Sequence, residues 1–104
     1  MKKFNTIYIL GILGQDPQMM YYDTGNVIAT LRVATHRKVG ERQVTDWHEV
    51  VAWNNTAKAI QLYLRKGSRV FIEGSLSYKD GRPVITARSV QFLDGKPEVN
   101  PQNS

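Results

Sequence analysis

Two tryptophans, Trp47 and Trp53, lie six positions apart in segment 45–53, whose alternating pattern predicts a β-strand. Residues an even number of positions apart share one face of a strand, so both indole rings lie on one side with Glu49 between them. The span is roughly 20 Å at about 3.3 Å per residue. Because a charge lies beside the rings, we expect an open face on which the indoles stack on nucleobases of any type. The alternative is that both rings pack beneath loops or in a subunit interface.

Basic residues occupy the strand ends and loops around this face. The net charge is +5 and the isoelectric point is about 9.7, which favours a polyanionic partner and would suit a ribosomal protein equally well. Side chains that contact phosphate release counterions, so binding through such a group weakens as salt increases. Any single lysine is more often a solvated surface charge, and the prediction concerns the group. The predicted phosphate-contacting residues are Lys2, Arg32, Arg37, Lys38, Lys79 and Arg82.

Two further aromatic residues lie in the predicted strand 69–79. Phe71 alternates with Val70 and Ile72, which face the core, so it points away from the core. Tyr78 lies at the tip of the strand, where the core has ended. Both are candidates for stacking on a base, and for Phe71 packing on the sheet or in a subunit interface is an equal alternative.

Catalytic and metal-binding patterns are missing from the sequence. The chain has no cysteine, no phosphate-binding glycine loop and no His, Asp and Glu cluster with the spacing of metal ligands. Its two histidines, His36 and His48, belong to different segments. His48 faces away from the tryptophans, which predicts a packed or subunit-interface position. We therefore expect neither enzyme activity nor a metal or cofactor, and a small nuclease is the disfavoured alternative.

The order of the predicted elements defines the fold class. Strands 27–35 and 45–53 are joined by a polar, basic connection, 36–44, and a helix begins at an Asn54 or Asn55 cap and ends near Arg65, before Gly67. The other strands are 7–13, 69–79 and 82–93. This is an all-β arrangement, a five-stranded OB-fold barrel with one helix between strands 3 and 4.

The last two strands form a predicted hairpin around an Asp80-Gly81 turn of type I′. The turn fixes the register, because a two-residue loop pairs residues at equal distances on either side of it. The predicted cross-strand pairs are Leu76 with Ile85, Gly74 with Ala87, and Glu73 with Arg88.

The first strand, 7–13, is apolar on both faces. One apolar face fills a barrel core, so the second, with Tyr8, Leu10 and Ile12, requires cover by another element or subunit. Residues 1–93 form the predicted domain, and 94–104, rich in Pro, Asn and Gly, is a predicted disordered tail. The sequence contains no apolar run of the ~20 residues that span a bilayer, and we expect a soluble, cytoplasmic protein.

Four sequence segments together resemble the bacterial single-stranded DNA-binding protein family. They read NTIYILGILGQD at 5–16, VIATLRVAT at 27–35, WHEVVAW at 47–53 and VFIEGSL at 70–76, and the likeness covers residues 5–93. The resemblance implies an OB fold, usually a homotetramer, around which single-stranded DNA wraps with bases on aromatic side chains and phosphates on Lys and Arg. It implies sequence-independent binding that protects or organises DNA in replication, recombination or repair.

The resemblance also assigns roles to individual residues. It implies base stacking on Trp47 and Trp53, basic positions near Lys2, Lys66 and Lys79, and a subunit-interface position for His48. Family members pair the first strand between subunits, which fits Tyr8, Leu10 and Ile12. A primosome-type OB module, often dimeric and bridging replication proteins, is the alternative, and an RNA-directed OB protein is a variant of it.

The sequence departs from the family pattern at several points. Val39 stands where many members carry another tryptophan, the Asp80-Gly81 hairpin is short, and Glu49 is acidic where some members are basic. These departures predict fewer stacking sites, so that more of the binding depends on Trp47 and Trp53. The chain also ends without an acidic tip closing in phenylalanine, so recruitment of repair or replication enzymes through the tail is not expected.

Overall fold

The computed structural model describes residues 4–94, in which six strands and one helix form. Within this range no helix is long and apolar enough to cross a membrane. The strands are β1 (Ile7–Leu13), β2 (Gln18–Tyr21), β3 (Val27–Val39), β4 (Arg42–Trp53), β5 (Arg69–Lys79) and β6 (Arg82–Phe92), and the helix α1 is Asn54–Tyr63.

Five of the strands close into a barrel. Neighbouring strands follow the order β1-β5-β6-β4-β3, and β1 pairs again with β3 at Ile12–Ala34 and Leu13–Val33, which closes the sheet on itself. Strand β2 pairs with β3 outside the closed circuit. The OB-fold prediction is confirmed. The helix follows β4 instead of a third strand because the sequence pattern did not predict the short strand β2, which shifts the numbering by one.

The barrel core follows from the alternation of apolar residues along the strands. Leu31 on β3, Val50 on β4 and Ile72 on β5 are completely buried, and their sequence neighbours face outward. Helix α1 packs Ala57 and Ile60 into the same core. Burial of these side chains is the main stabilising term, since a buried Val, Leu or Ile contributes roughly 1.5–3 kcal/mol.

The segment 36–44 is a β-hairpin, so its prediction as a connection was wrong. β3 continues to Val39, β4 begins at Arg42, and Gly40 turns the chain with a φ of 65°. The extension carries polar cross-strand contacts: His36 Nδ1 lies 3.0 Å from Thr45 Oγ1. Polar side chains indicate exposure but do not distinguish a loop from two strands that project beyond the core, because such strands are polar as well.

The start of α1 also differs from the prediction. Trp53 occupies the N-cap position and makes no side-chain capping bond. Asn54 has a φ of 51°, and its Oδ1 accepts a hydrogen bond from the backbone N–H of Val27 at 3.0 Å, which ties the helix start to β3 instead of capping the helix. The helix ends at Tyr63, and Gly67 takes a positive φ of 92° in the turn that follows.

The β5–β6 hairpin has the predicted turn and most of the predicted register. Asp80 and Gly81 both have positive φ, as a type I′ turn requires. The Leu76–Ile85 and Gly74–Ala87 pairs are confirmed. The Glu73–Arg88 pairing is wrong, because a bulge after Glu73 sets that residue opposite Ser89, although Arg88 Nη2 still lies 3.9 Å from the Glu73 carboxylate.

The predicted tail, 94–104, lies outside the described residues except for Asp94. Its carboxylate accepts hydrogen bonds from the backbone N–H and the Nε of Arg69, at 2.8 and 2.7 Å. These two bonds lower the pKa of Asp94 below its ordinary value of 3.8. The last described residue is therefore bonded to the start of β5.

Candidate nucleic-acid interface

The outer face of β4 carries both tryptophans. The side chains of Trp47 and Trp53 are about half exposed, at 50% and 48%, while Val50 and Ala52 on the opposite face are completely buried. The strand alternation that predicts a shared face therefore also holds where β4 is part of the closed barrel. Two large apolar rings remain in solvent on one strand.

Trp47 is held in place by two neighbours from other strands or loops. Its six-membered ring lies against Gly14, where a Cβ atom would overlap the ring. The guanidinium carbon of Arg32 lies over the ring, 5.5 Å from its centroid, in a cation–π contact. A cleft of about 460 Å³ opens between these residues, with Thr30 and Glu49 in its wall.

Trp53 borders a second cleft, of about 340 Å³. Strand β6 contributes Thr86 to this cleft, and Lys79 at the end of β5 supplies a positive charge. Thr30 and Glu49 line both clefts, so the two adjoin across β3 and β4. We call the two clefts together the tryptophan groove; its lining includes Gly14, Gln15, Gln18, Met20, Tyr22, Ile28, Thr30, Arg32, Trp47, Glu49, Val51, Trp53, Ser77, Lys79, Val84 and Thr86.

Met20 and Tyr22 are among the groove residues that the sequence reasoning missed. They lie on and just after β2, are 55% and 45% exposed, and line the cleft beside Trp53. The Tyr22 hydroxyl donates to Met20 Sδ at 2.9 Å. The signal that was overlooked is the apolar run Met19–Tyr22 soon after Pro17, which reads as a short strand with aromatic residues at its end.

The predicted phosphate-contacting residues are distributed unevenly around the groove. Arg32 and Lys79 line it. Lys38 alternates with Arg32 along β3 and so shares its face, beyond the barrel. Arg82 lies opposite Lys79 across the β5–β6 hairpin. Lys2 lies outside the described residues.

Lys66 is near the other end of the groove. Its backbone N–H donates to Asp16 Oδ1 at 2.8 Å, and the loop that carries Asp16 also supplies Gly14 and Gln15 to the cleft beside Trp47. The side chain of Lys66 is exposed. The backbone of Lys66 is therefore bonded to the loop that forms one wall of the groove.

Arg37 is placed differently from the other basic residues. Alternation along β3 sets it on the face opposite Arg32, and its Nε lies 2.7 Å from Asp46 Oδ2. The hydrogen bond from Arg37 lowers the pKa of Asp46. The charge of Arg37 is thus matched within the β3–β4 hairpin, and the structure does not bring it to the groove.

Phe71 lies with the predicted interface residues rather than with the tryptophans. Its ring stacks on Tyr8, with centroids 5.8 Å apart and an interplanar angle of 8°. Tyr8 and Leu10 on the same face of β1 are about 60% exposed, and Ile12 is 38% exposed. Tyr78 is exposed at the hairpin end, opposite Pro83, and lines neither cleft.

His48 lies on the inner side of the β3–β4 hairpin. Its Nε2 is 2.8 Å from Thr35 Oγ1, and the side chain is half-buried. Across the part of the chain that the structure describes, no group of three or more His, Cys, Asp or Glu side chains is arranged to hold a metal ion.

A closed five-stranded barrel with exposed aromatic and basic side chains on one outer groove defines an OB-fold protein of the kind that binds single-stranded nucleic acid. The model of the single-strand binding protein family matches residues 4–93. The chain belongs to this family.

Several bacterial relatives are similar over most of the chain. A single-stranded DNA-binding protein of Helicobacter hepaticus is 33% identical, over 97% of this chain and 69% of the relative. One of Bacteroides thetaiotaomicron is 30% identical, over 96% of this chain and 68% of the relative. Single-stranded DNA-binding protein 1 of Synechocystis is 29% identical, over 88% of this chain and 85% of the relative.

Proposed function

We propose that this protein binds single-stranded DNA without strict sequence preference, in the tryptophan groove. The observation that carries the proposal is the pair of half-exposed indole rings, Trp47 and Trp53, at the two ends of one groove on β4. The family match and the names of the relatives support single-stranded DNA as the ligand. We infer a non-catalytic role, protecting or organising DNA in replication, recombination or repair, and hence a cytoplasmic location beside the DNA.

The groove supplies both kinds of contact that single-stranded DNA requires. An indole ring stacks on any base, contributing about 1–3 kcal/mol per base, because every base has a π-face. Arg32 already lies over Trp47, so its guanidinium is positioned to contact a phosphate or a stacked base beside that ring. Lys79 places a second positive charge near Trp53. The phosphate contacts make the affinity fall as salt increases.

Fluorescence titration with oligo-dT tests the proposal. Trp47 and Trp53 are the only tryptophans of the chain, so stacking of bases on them quenches the whole indole emission. Replacing both by alanine removes the emission as well, so the variant is measured by anisotropy of a labelled oligonucleotide. We expect the double variant to bind about 30-fold or more weakly, from the loss of at least about 2 kcal/mol of stacking.

The matched control is Leu62→Ala, which truncates an exposed apolar side chain on α1, outside the groove. It should bind oligo-dT as the wild type does. If the double tryptophan variant also keeps wild-type affinity, the proposal that bases stack on Trp47 and Trp53 of β4 is wrong. Divalent-metal-dependent degradation of the oligonucleotide would contradict the non-catalytic role.

A further inference from the structure

Glu49 occupies the middle of the tryptophan groove. It lies on β4 between the two tryptophans, is half-buried, and lines both clefts. A strand of DNA that stacks on both rings must therefore pass over this carboxylate.

The Glu49 carboxylate has no partner among the described residues. Arg32 lies directly opposite it in the β3–β4 register, yet the Arg32 guanidinium is over the ring of Trp47. Within residues 4–94 the ion pairs and side-chain hydrogen bonds involve other groups. The groove therefore presents a negatively charged acceptor with free lone pairs beside the site where bases stack.

An ionised carboxylate accepts hydrogen bonds and donates none. A phosphate next to it is repelled, so a base edge is the favoured neighbour. Cytosine, adenine and guanine each carry an amino group that donates to such an acceptor, and acidic side chains pair with the cytosine amino group in DNA complexes. Thymine has no amino group, and its one ring N–H is flanked by two carbonyl oxygens that the carboxylate repels.

We propose that Glu49 makes the groove favour amino-bearing bases over thymine at the position between Trp47 and Trp53. The inference rests on the proposed function, because it requires bases to lie in the groove. Stacking alone accepts every base, and Glu49 adds a preference for one chemical class of base.

The test is the ratio of affinities for oligo-dC and oligo-dT of equal length, measured at the same salt for the wild type and Glu49→Gln. Removing a negative charge strengthens binding to both oligonucleotides alike, so this electrostatic effect cancels in the ratio. The glutamine amide also donates to thymine, so the preference for oligo-dC should fall about fivefold or more. The control, Glu41→Gln, removes the same charge from the exposed β3–β4 turn and should leave the ratio unchanged.

A second measurement uses the wild type alone. Oligonucleotides of deoxyadenosine and of deoxynebularine differ only in the 6-amino group, and we expect tighter binding of the former. If the wild type binds oligo-dT and oligo-dC but Glu49→Gln leaves their ratio unchanged, the role of Glu49 is overturned while the proposed function stands. If the wild type binds neither oligonucleotide, both proposals are wrong.

Discussion

At the residue scale, the contact between Gly14 and Trp47 shows how a stacking ring is positioned. Gly14 has no Cβ, so the six-membered ring of Trp47 can lie close to the backbone of the loop after β1. Arg32 lies over the same ring and restrains it further. The ring is therefore ordered before any base arrives, which reduces the conformational entropy lost on binding.

A Gly14→Ala substitution should displace the Trp47 ring. The new methyl group overlaps the ring, and because Trp47 is half-exposed the ring can move into solvent without disturbing the core. In a Trp53→Phe background, where only Trp47 emits, we expect a shifted emission maximum and a several-fold loss of oligo-dT affinity. Unchanged emission and affinity would show that Gly14 does not position the ring.

At the element scale, the β5–β6 hairpin extends the barrel toward the groove. The β5–β6 hairpin carries Lys79 to the cleft beside Trp53, and its type I′ turn fixes where that lysine lies. The bulge after Glu73 shifts the β5–β6 register by one residue between the turn and the start of β5, so that Glu73 lies opposite Ser89. The turn was predictable because Asp-Gly is a local sequence signal. The bulge was not predictable, because β5 pairs with β1 as well as with β6, and the bulge depends on how β5 bends to make both pairings.

A Gly81→Ala substitution should destabilise the β5–β6 turn. Gly81 has a φ of 80°, and an L-residue in that region costs about 1 kcal/mol or more because its Cβ approaches the backbone. We expect a lower melting temperature in a thermal unfolding experiment. Asp80→Asn is the control, since asparagine tolerates positive φ at least as well as aspartate, and it should melt close to the wild type. A Gly81→Ala variant as stable as the wild type would contradict the turn assignment.

At the scale of the whole molecule, one outer face of the barrel is apolar and uncovered. Tyr8, Leu10 and Ile12 of β1 are exposed, and Phe71 stacks on Tyr8 beside them. Exposed apolar patches of this kind mark interaction sites. We propose that the protein is a homotetramer in which a second copy of the chain covers this face. A subunit-interface position for His48 stays a prediction.

Light scattering tests this assembly. A tetramer favours the strand-coating role, and a stable dimer favours the primosome-type module. Leu10→Lys places a charge in the apolar face, and we expect it to lower the measured mass by weakening the interface. Leu62→Lys makes the same change on the exposed side of α1 and should leave the mass unaltered. A monomeric wild type, or an unchanged mass for Leu10→Lys, would contradict the proposed interface.

The sequence by itself determined the faces of the strands and the helix position. Alternation places Trp47 and Trp53 outward and Val50 inward, because successive side chains of any strand point to opposite sides whatever the strand pairs with. The type I′ turn at Asp80-Gly81 is likewise a local property. These features required no knowledge of distant residues.

Only the tertiary structure decided which outward residues share a site. Residues from β2, the loop after β1 and the end of β5 meet at the groove because the barrel closes, and closure depends on pairing between strands far apart in sequence. Pairing of β1 with β5 puts Phe71 beside Tyr8 and away from the tryptophans, and pairing of β2 with β3 places Tyr22 near Trp53 on the next strand. A local sequence pattern gives the direction in which a side chain points. The residues that surround the side chain depend on the register between strands that are far apart in sequence, which no short segment encodes.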